Sequence, residues 1–196
     1  MGRILTLFSQ EKQLVNALRK ADPKAQRQVY DKYSARMLAL CFRYICDDMA
    51  AEDVMVEGFL KVFDKISQFS GEGSFEGWIR RIMVNEALGY LRKQKRVLED
   101  AISEEVNNIP DYVHADQNLE TEELLSLIET LPTGYRTVFN LYAIEGYSHM
   151  EIAEMLGVTE STSKSQLHRA RALLQKMVCD WENDFKKKVE YEKASC

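Results

Sequence analysis

Apolar residues recur every three or four positions over long stretches of this chain, the spacing of helices that bury one face. A short helix from Ser9 to about Lys20 leads in. The next opens at Asp22-Pro23, an N-cap followed by proline at the first helical position. Its stripe is Val29, Tyr33, Met37, Leu40, Cys41 and Tyr44. A second long helix, over 49–67, places Ala51, Val54, Met55, Gly58, Val62 and Ile66 on one stripe that Phe59 and Phe63 widen. The periodicity breaks across 67–75, where Gly71 and Gly73 predict a loop. Ser74 can cap a third long helix over 75–95, which carries Trp78, Ile82, Asn85 and Tyr90 and ends in the basic run from Leu91 to Arg96.

From 97 to 118 no period is sustained, and the stretch Asn107 to Asp111, with Pro110 inside it, interrupts any helix. A second helical group follows over 119–130, 133–145, 149–156 and 160–180, the second of these opened by Pro132 and closed by Gly146. The predicted fold class is therefore all-α, with two small helical domains at 9–95 and 121–180. A flexible acidic linker over 96–120 joins them, and a charged C-terminal tail covers 181–196.

Composition agrees with helices, since the 196 residues include only nine Gly and three Pro. The four cysteines form no CxxC pair and the three histidines are scattered, so neither a disulfide framework nor a zinc site is indicated and no cofactor is expected. Cys41 and Cys46 lie among apolar neighbours and read as packing residues. No apolar stretch approaches the roughly 18 residues of a membrane span. A cytoplasmic protein without membrane insertion is the expectation.

The formal charge of −5 argues against nucleic-acid binding until its distribution is considered. Residues 96–123 carry one basic and nine acidic side chains; removing them from the totals of 26 basic and 31 acidic leaves 25 against 22, or +3. The remainder of the chain is basic where it matters. Residues 148–171 combine a capping box, Ser148 with Glu151, a small residue at Ala153 where two helices cross, and Gly157 at a turn. This reads as a helix-turn-helix. Its second helix starts after Thr159 and exposes Ser161, Thr162, Lys164, Ser165, His168, Arg169 and Arg171, polar and basic groups suited to base edges and phosphates in a major groove. A helical hairpin whose charges face water is the alternative. In the third long helix, Arg80, Arg81, Arg92 and Lys93 interleave with Trp78 and Tyr90, as a single-strand surface requires, although both aromatics also suit a core.

At this point a family resemblance appears. Gln13 to Tyr33, Ala51 to Phe59 and Phe75 to Asn85 resemble domain two of extracytoplasmic-function sigma factors. The run Leu131-Pro-x-x-Tyr-Arg-x-Val-Phe139 and the helix-turn-helix resemble domain four. The resemblance covers residues 10–178 in the family's order. It implies a transcription initiation factor without enzymatic activity, whose partners are the RNA polymerase core at its clamp helices and flap, double- and single-stranded promoter DNA, and an anti-sigma protein. No small-molecule substrate is implied. Asp48, Glu52, Asp53, Glu57 and Lys61 correspond to the surface that docks on polymerase, where an acidic face exposed only to water is the alternative. Phe69, Ser70, Gly71, Phe75, Trp78, Arg80, Arg81, Asn85, Tyr90, Arg92 and Lys93 correspond to the surface that reads and melts the minus-ten element by trapping a flipped base. Ser161, Thr162, Lys164, Ser165, His168, Arg169 and Arg171 correspond to the reader of the minus-thirty-five element. Ser163 stands where Val is usual and Gln166 where Arg is usual, which predicts fewer phosphate contacts or a different base preference. In the family the linker follows the path later taken by the transcript, which nine carboxylates would suit.

Two rivals stand beside this reading. A helix-turn-helix regulator would use its N-terminal bundle to sense a ligand or partner. A helical enzyme is weaker, because no phosphate-cradling glycine loop, metal-ligand spacing or nucleophile-base pairing is present.

Overall fold

A computed structural model describes residues 11–99 and 121–194. The expected linker core over 100–120 and residues 9 and 10 lie outside the described residues. The chain divides between residues 103 and 104 into two compact units, and every regular element among the described residues is helical.

The first unit holds α1, helical over 11–18, then α2 (Pro23–Ile45), α3 (Asp48–Asp64) and α4 (Phe75–Glu99). Asp22 caps α2 by accepting from the Lys24 N–H at 2.9 Å, and Asp47 caps α3 by accepting from the Ala50 N–H at 2.8 Å. The expected stripe of α2, from Val29 to Tyr44, is buried throughout. It meets Ala51, Val54, Met55, Phe59 and Val62 of α3 and Phe75, Ile79, Met83, Val84, Ala87 and Leu88 of α4. Each large apolar side chain taken out of water here contributes about 1.5–3 kcal/mol. Gly58 permits the crossing of α3 with α4, because a Cβ there would stand 2.3 Å from Met83 Sδ, and something would have to shift. With Ile79 and Met83 turned inward, Asn85 lies exposed on the outer face of α4. The helix runs past residue 95 to Glu99, since no glycine or proline interrupts the chain there.

The second unit comprises α5 (Thr121–Glu129), α6 (Thr133–Phe139), a π-helical turn (Asn140–Ile144), α7 (His149–Leu156) and α8 (Glu160–Ala194). Ile128, Leu131, Ala170 and Leu174 form a core into which Leu125, Tyr135, Phe139 and Leu173 also pack. The buried Arg136 donates from Nη1 to the carbonyl oxygens of Glu129 and Leu131, both at 2.8 Å, closing the end of α5. That contact gives the Leu131–Arg136 spacing its physical meaning. Two elements differ from the sequence expectation. The helix expected over 133–145 widens in its last turn, where the Glu145 N–H reaches the Asn140 carbonyl at 2.9 Å and Asn140 is fully buried. The region expected as a separate tail continues α8 to Ala194, because residues 160–194 contain neither glycine nor proline.

Candidate nucleic-acid and polymerase interfaces

Gly71 and Gly73 give the loop before α4 its shape, at φ of 84° and 79°, a region that side-chain-bearing residues rarely adopt. Ser70 Oγ accepts from the Glu72 N–H at 3.2 Å, and Ser74 Oγ accepts from the Gly77 N–H at 3.3 Å to start the helix. Beneath the loop the rings of Phe69 and Phe75 lie 5.2 Å apart, with Trp78 5.5 Å from Phe69 and 6.0 Å from Phe75. Both phenylalanines are buried and brace the loop from below, and Phe69 also lines the cavity beside it. Trp78 is half-buried against them.

The other wall comes from α1. Arg19 donates from Nη2 to the Phe69 carbonyl at 2.6 Å, fixing the loop across 50 positions of sequence. Between them lies a cavity of about 220 Å³, edged by Lys12, Asn16 and Arg19 on one side and Ser70, Gly71 and Gly73 on the other. The sequence reading missed the α1 residues, having treated this helix as a lead-in.

Asn85 is not part of that cavity. It lines a separate groove of about 550 Å³ with Asp53, Glu57 and Lys61 of α3 and Tyr90, Arg92 and Lys93 of α4. Lys61 is ion-paired with Glu86 across the two helices. Arg81, Arg92 and Lys93 are exposed, Arg80 and Tyr90 half-buried, and Tyr90 Oη accepts from Gln94 Nε2 at 2.6 Å. On the outward side of α3, exposed Asp48, Glu52, Asp53 and Glu57 surround Met49, Val56 and Leu60, which are 81%, 42% and 57% exposed. Those three apolar positions were hidden behind the charge pattern, although their spacing of seven and four residues would have revealed them.

In the second unit both halves of the capping box form: the Glu151 N–H meets Ser148 Oγ at 3.3 Å, and Glu151 Oε2 accepts from the Ser148 N–H at 2.9 Å. Gly157 closes α7 at φ 68°, and Thr159 Oγ1 accepts from the Thr162 N–H at 3.1 Å to open α8. Ser161, Lys164, Ser165, His168, Arg169 and Arg171 are exposed along α8 and Thr162 is half-buried. Lys164 pairs with Glu160 at 2.7 Å; its hydrogen bond, then its charge, hold that carboxyl below its ordinary range. Ser165 Oγ donates to the Thr162 carbonyl at 2.9 Å.

The two departures from the family pattern face inward. Ser163 is fully buried and its Oγ lies 2.9 Å from His149 Nδ1, at the crossing of α7 and α8. His149 stacks on Tyr142 at 4.5 Å, and the Arg171 guanidinium sits 5.5 Å above the Tyr142 ring. Gln166 is half-buried, and its Nε2 lies 3.8 Å from where a Cβ on Gly134 would stand. Ser163 thus meets α7, and Gln166 approaches the start of α6. In the first unit, burial pushes the Cys41 thiol up to about 12, as expected of a packing residue. Among the described residues no group of three potential metal ligands is assembled, and no helix is long and apolar enough to cross a membrane.

Comparison with known proteins now bears on this arrangement. Residues 29–97 match the family model for sigma-70 region 2, and residues 121–174 that for sigma-70 region 4. The ECF RNA polymerase sigma-E factor of Haemophilus influenzae is 30% identical over 177 residues, covering 84% of this chain and 93% of that protein. The chain belongs to the extracytoplasmic-function sigma factors. It directs RNA polymerase to promoters, and the rival of an unrelated helix-turn-helix regulator falls away. The sigma factor is also 29% identical over 181 residues to SigW of Bacillus subtilis, covering 86% of this chain and 97% of the relative. A solved structure of the Bartonella quintana sigma factor RpoE in complex with the anti-sigma factor NepR shares its fold, with a TM-score of 0.50 at 22% identity over 76% of this chain and 94% of that one. Its relatives are transcription initiation factors rather than enzymes.

Proposed function

We propose that this sigma factor opens its promoters by capturing an unstacked non-template base of the minus-ten element in the hollow between α1 and the Phe69–Gly73 turn. The observation that carries the reading is the hollow itself, about 220 Å³, with two glycines at positive φ on its rim and Arg19 fastening its edge. Extruding a base costs a few kcal/mol of stacking, which contacts inside the hollow must offset. A loop already fixed by Arg19 loses little further freedom on binding, so more of that contact energy goes to melting. Asn85, Arg81, Arg92 and Lys93 extend along α4 as a track for the adjoining strand.

The outer face of α3 docks on the polymerase clamp helices: Asp48, Glu52, Asp53 and Glu57 orient the encounter, and Met49, Val56 and Leu60 supply apolar surface to bury. Lys61, held by Glu86, closes the edge of that face. The second unit meets the flap and lays α8 in the major groove, with Ser161, Thr162, Ser165 and His168 at base edges and Lys164, Arg169 and Arg171 at phosphates. The sigma factor works in the cytoplasm, and an anti-sigma protein holds it inactive, as the Bartonella complex suggests for its own partner pair.

The test is permanganate footprinting of promoter thymines by holoenzyme, on a promoter recovered by run-off transcription from a genomic fragment library. Arg19→Ala and Asn85→Ala should both bind core normally and lose thymine reactivity about tenfold or more. Undiminished melting by Arg19→Ala would remove the hollow from the mechanism.

A further inference from the structure

The widened turn Asn140–Ile144 gives two neighbouring side chains opposite surroundings. Leu141 is fully buried in the second unit, whereas Tyr142 stands 36% exposed. The turn is fastened at both ends: the Glu145 N–H donates to the Asn140 carbonyl and the Tyr147 N–H to the Leu141 carbonyl, each at 2.9 Å. Turns of this kind are rare and gather at functional sites. Here the Tyr142 ring reaches two helices. The His149 imidazole of α7 stacks on it at 4.5 Å and 22°, and the Arg171 guanidinium of α8 lies over it at 5.5 Å. His149 Nδ1 is itself 2.9 Å from Ser163 Oγ, so the imidazole on which the ring rests is tied to α8.

A guanidinium held over an aromatic face keeps its in-plane N–H donors available for another partner. A carboxylate partner does the reverse: Glu160, 2.7 Å from Lys164 Nζ, occupies that ammonium and sets a negative charge beside it. Position around α8 gives the difference a use. Arg171 lies about two turns beyond Lys164 and on the same side of the helix, while Arg169 stands about 160° round from Arg171. Ser161, Ser165 and His168 lie exposed on the arc between the two arginines. A helix seated in a major groove has a phosphate strand along each edge of such an arc.

We infer that Tyr142 is a positioning residue for duplex DNA: its ring holds the Arg171 guanidinium at one edge of the exposed arc, ready to meet a backbone phosphate, while Arg169 meets the opposite strand. The inference rests on the reading of Arg171 as a phosphate contact and adds to it the residue that orients the contact. A side chain already held loses less freedom on binding, so more of the contact energy appears as affinity.

Core enzyme reconstituted with the full chain, and titrated across a salt series with the promoter duplex of the run-off assay under fluorescence anisotropy, tests this. Arg171→Ala should weaken binding about tenfold and lower the slope of log K against log salt by about one. Tyr142→Leu, which keeps apolar bulk against His149, should weaken binding about two- to fivefold, and Tyr142→Phe, which keeps the ring face, should bind as the unaltered chain does. In an Arg171→Ala background Tyr142→Leu should have no further effect, because the ring then has nothing to orient. A ring that only packs the unit weakens binding to the same extent with or without Arg171, and that result overturns the inference. So does undiminished binding by Tyr142→Leu, or a loss in Tyr142→Phe equal to that in Tyr142→Leu. If Arg171→Ala leaves both affinity and slope unchanged, the phosphate reading of Arg171 falls and the inference with it; if only the Tyr142 outcomes fail, that reading stands alone.

Discussion

The hydrogen bond between Ser163 and His149 should be measurable as a coupling energy in the second unit. Ser163 is fully buried and its Oγ lies 2.9 Å from His149 Nδ1, so the pair joins the first turn of α7 to α8 at their crossing point. Ser163→Ala removes one partner, and the half-buried His149 can regain water, so a loss of about 1 kcal/mol is expected. His149→Ala strands the serine hydroxyl away from solvent, about 1–3 kcal/mol, and also removes the stack on Tyr142, about 0.5–1.5 kcal/mol. The double variant should fall short of the sum by about 1 kcal/mol, because the bond is lost only once. The chain has two tryptophans, Trp78 in the first unit and Trp181 in the second. Urea unfolding followed by Trp181 fluorescence in a Trp78→Phe background therefore isolates the unit concerned. A coupling energy under about 0.3 kcal/mol would refute the claim that this bond holds the crossing.

Three further outcomes follow from the same geometry. Arg169→Ala should weaken promoter binding and lower the slope of log K against log salt by about one, measured by anisotropy across a salt series; an unchanged slope takes Arg169 off the phosphates. Ala21 sits at φ 55°, where only glycine is unstrained, so Ala21→Gly should stabilise the first unit by about 0.5–1 kcal/mol in urea unfolding followed by Trp78. Cys41, pushed up to about 12 by burial, should stay inert to a thiol reagent at pH 8 until the unit unfolds. Because its folded value lies above the unfolded one near 9, its contribution to stability is complete below pH 9 and is lost as pH rises towards 12, and Cys41→Ala should flatten that loss in urea midpoints.

What the sequence disclosed and what it hid follow from the range of the interactions involved. The stripe of α2 and the capping box of α7 are local patterns, and both appear where periodicity and spacing placed them. Arg19 reaches Phe69 across 50 residues, a contact that no window along the chain can register. Ser163 and Gln166 stand out in the sequence only as departures from the family pattern; that they turn inward beside exposed neighbours follows from adjacent helical residues pointing about 100° apart. The π-helical turn depends on burying Asn140, a tertiary fact. On α3 the carboxylates drew attention to charge while Met49, Val56 and Leu60 lay between them.

The uninterrupted course of α8 makes the exposed face of Lys164 and Arg169 and the turns near Ala194 one lever. Its 35 residues span about 52 Å at 1.5 Å per residue. A twist applied near Ala194 is delivered to Lys164 and Arg169 as a rotation of the whole rod, with no joint between them to absorb it. A spin label or fluorophore placed towards that far end would thus act as a compass needle for the orientation of Lys164 and Arg169.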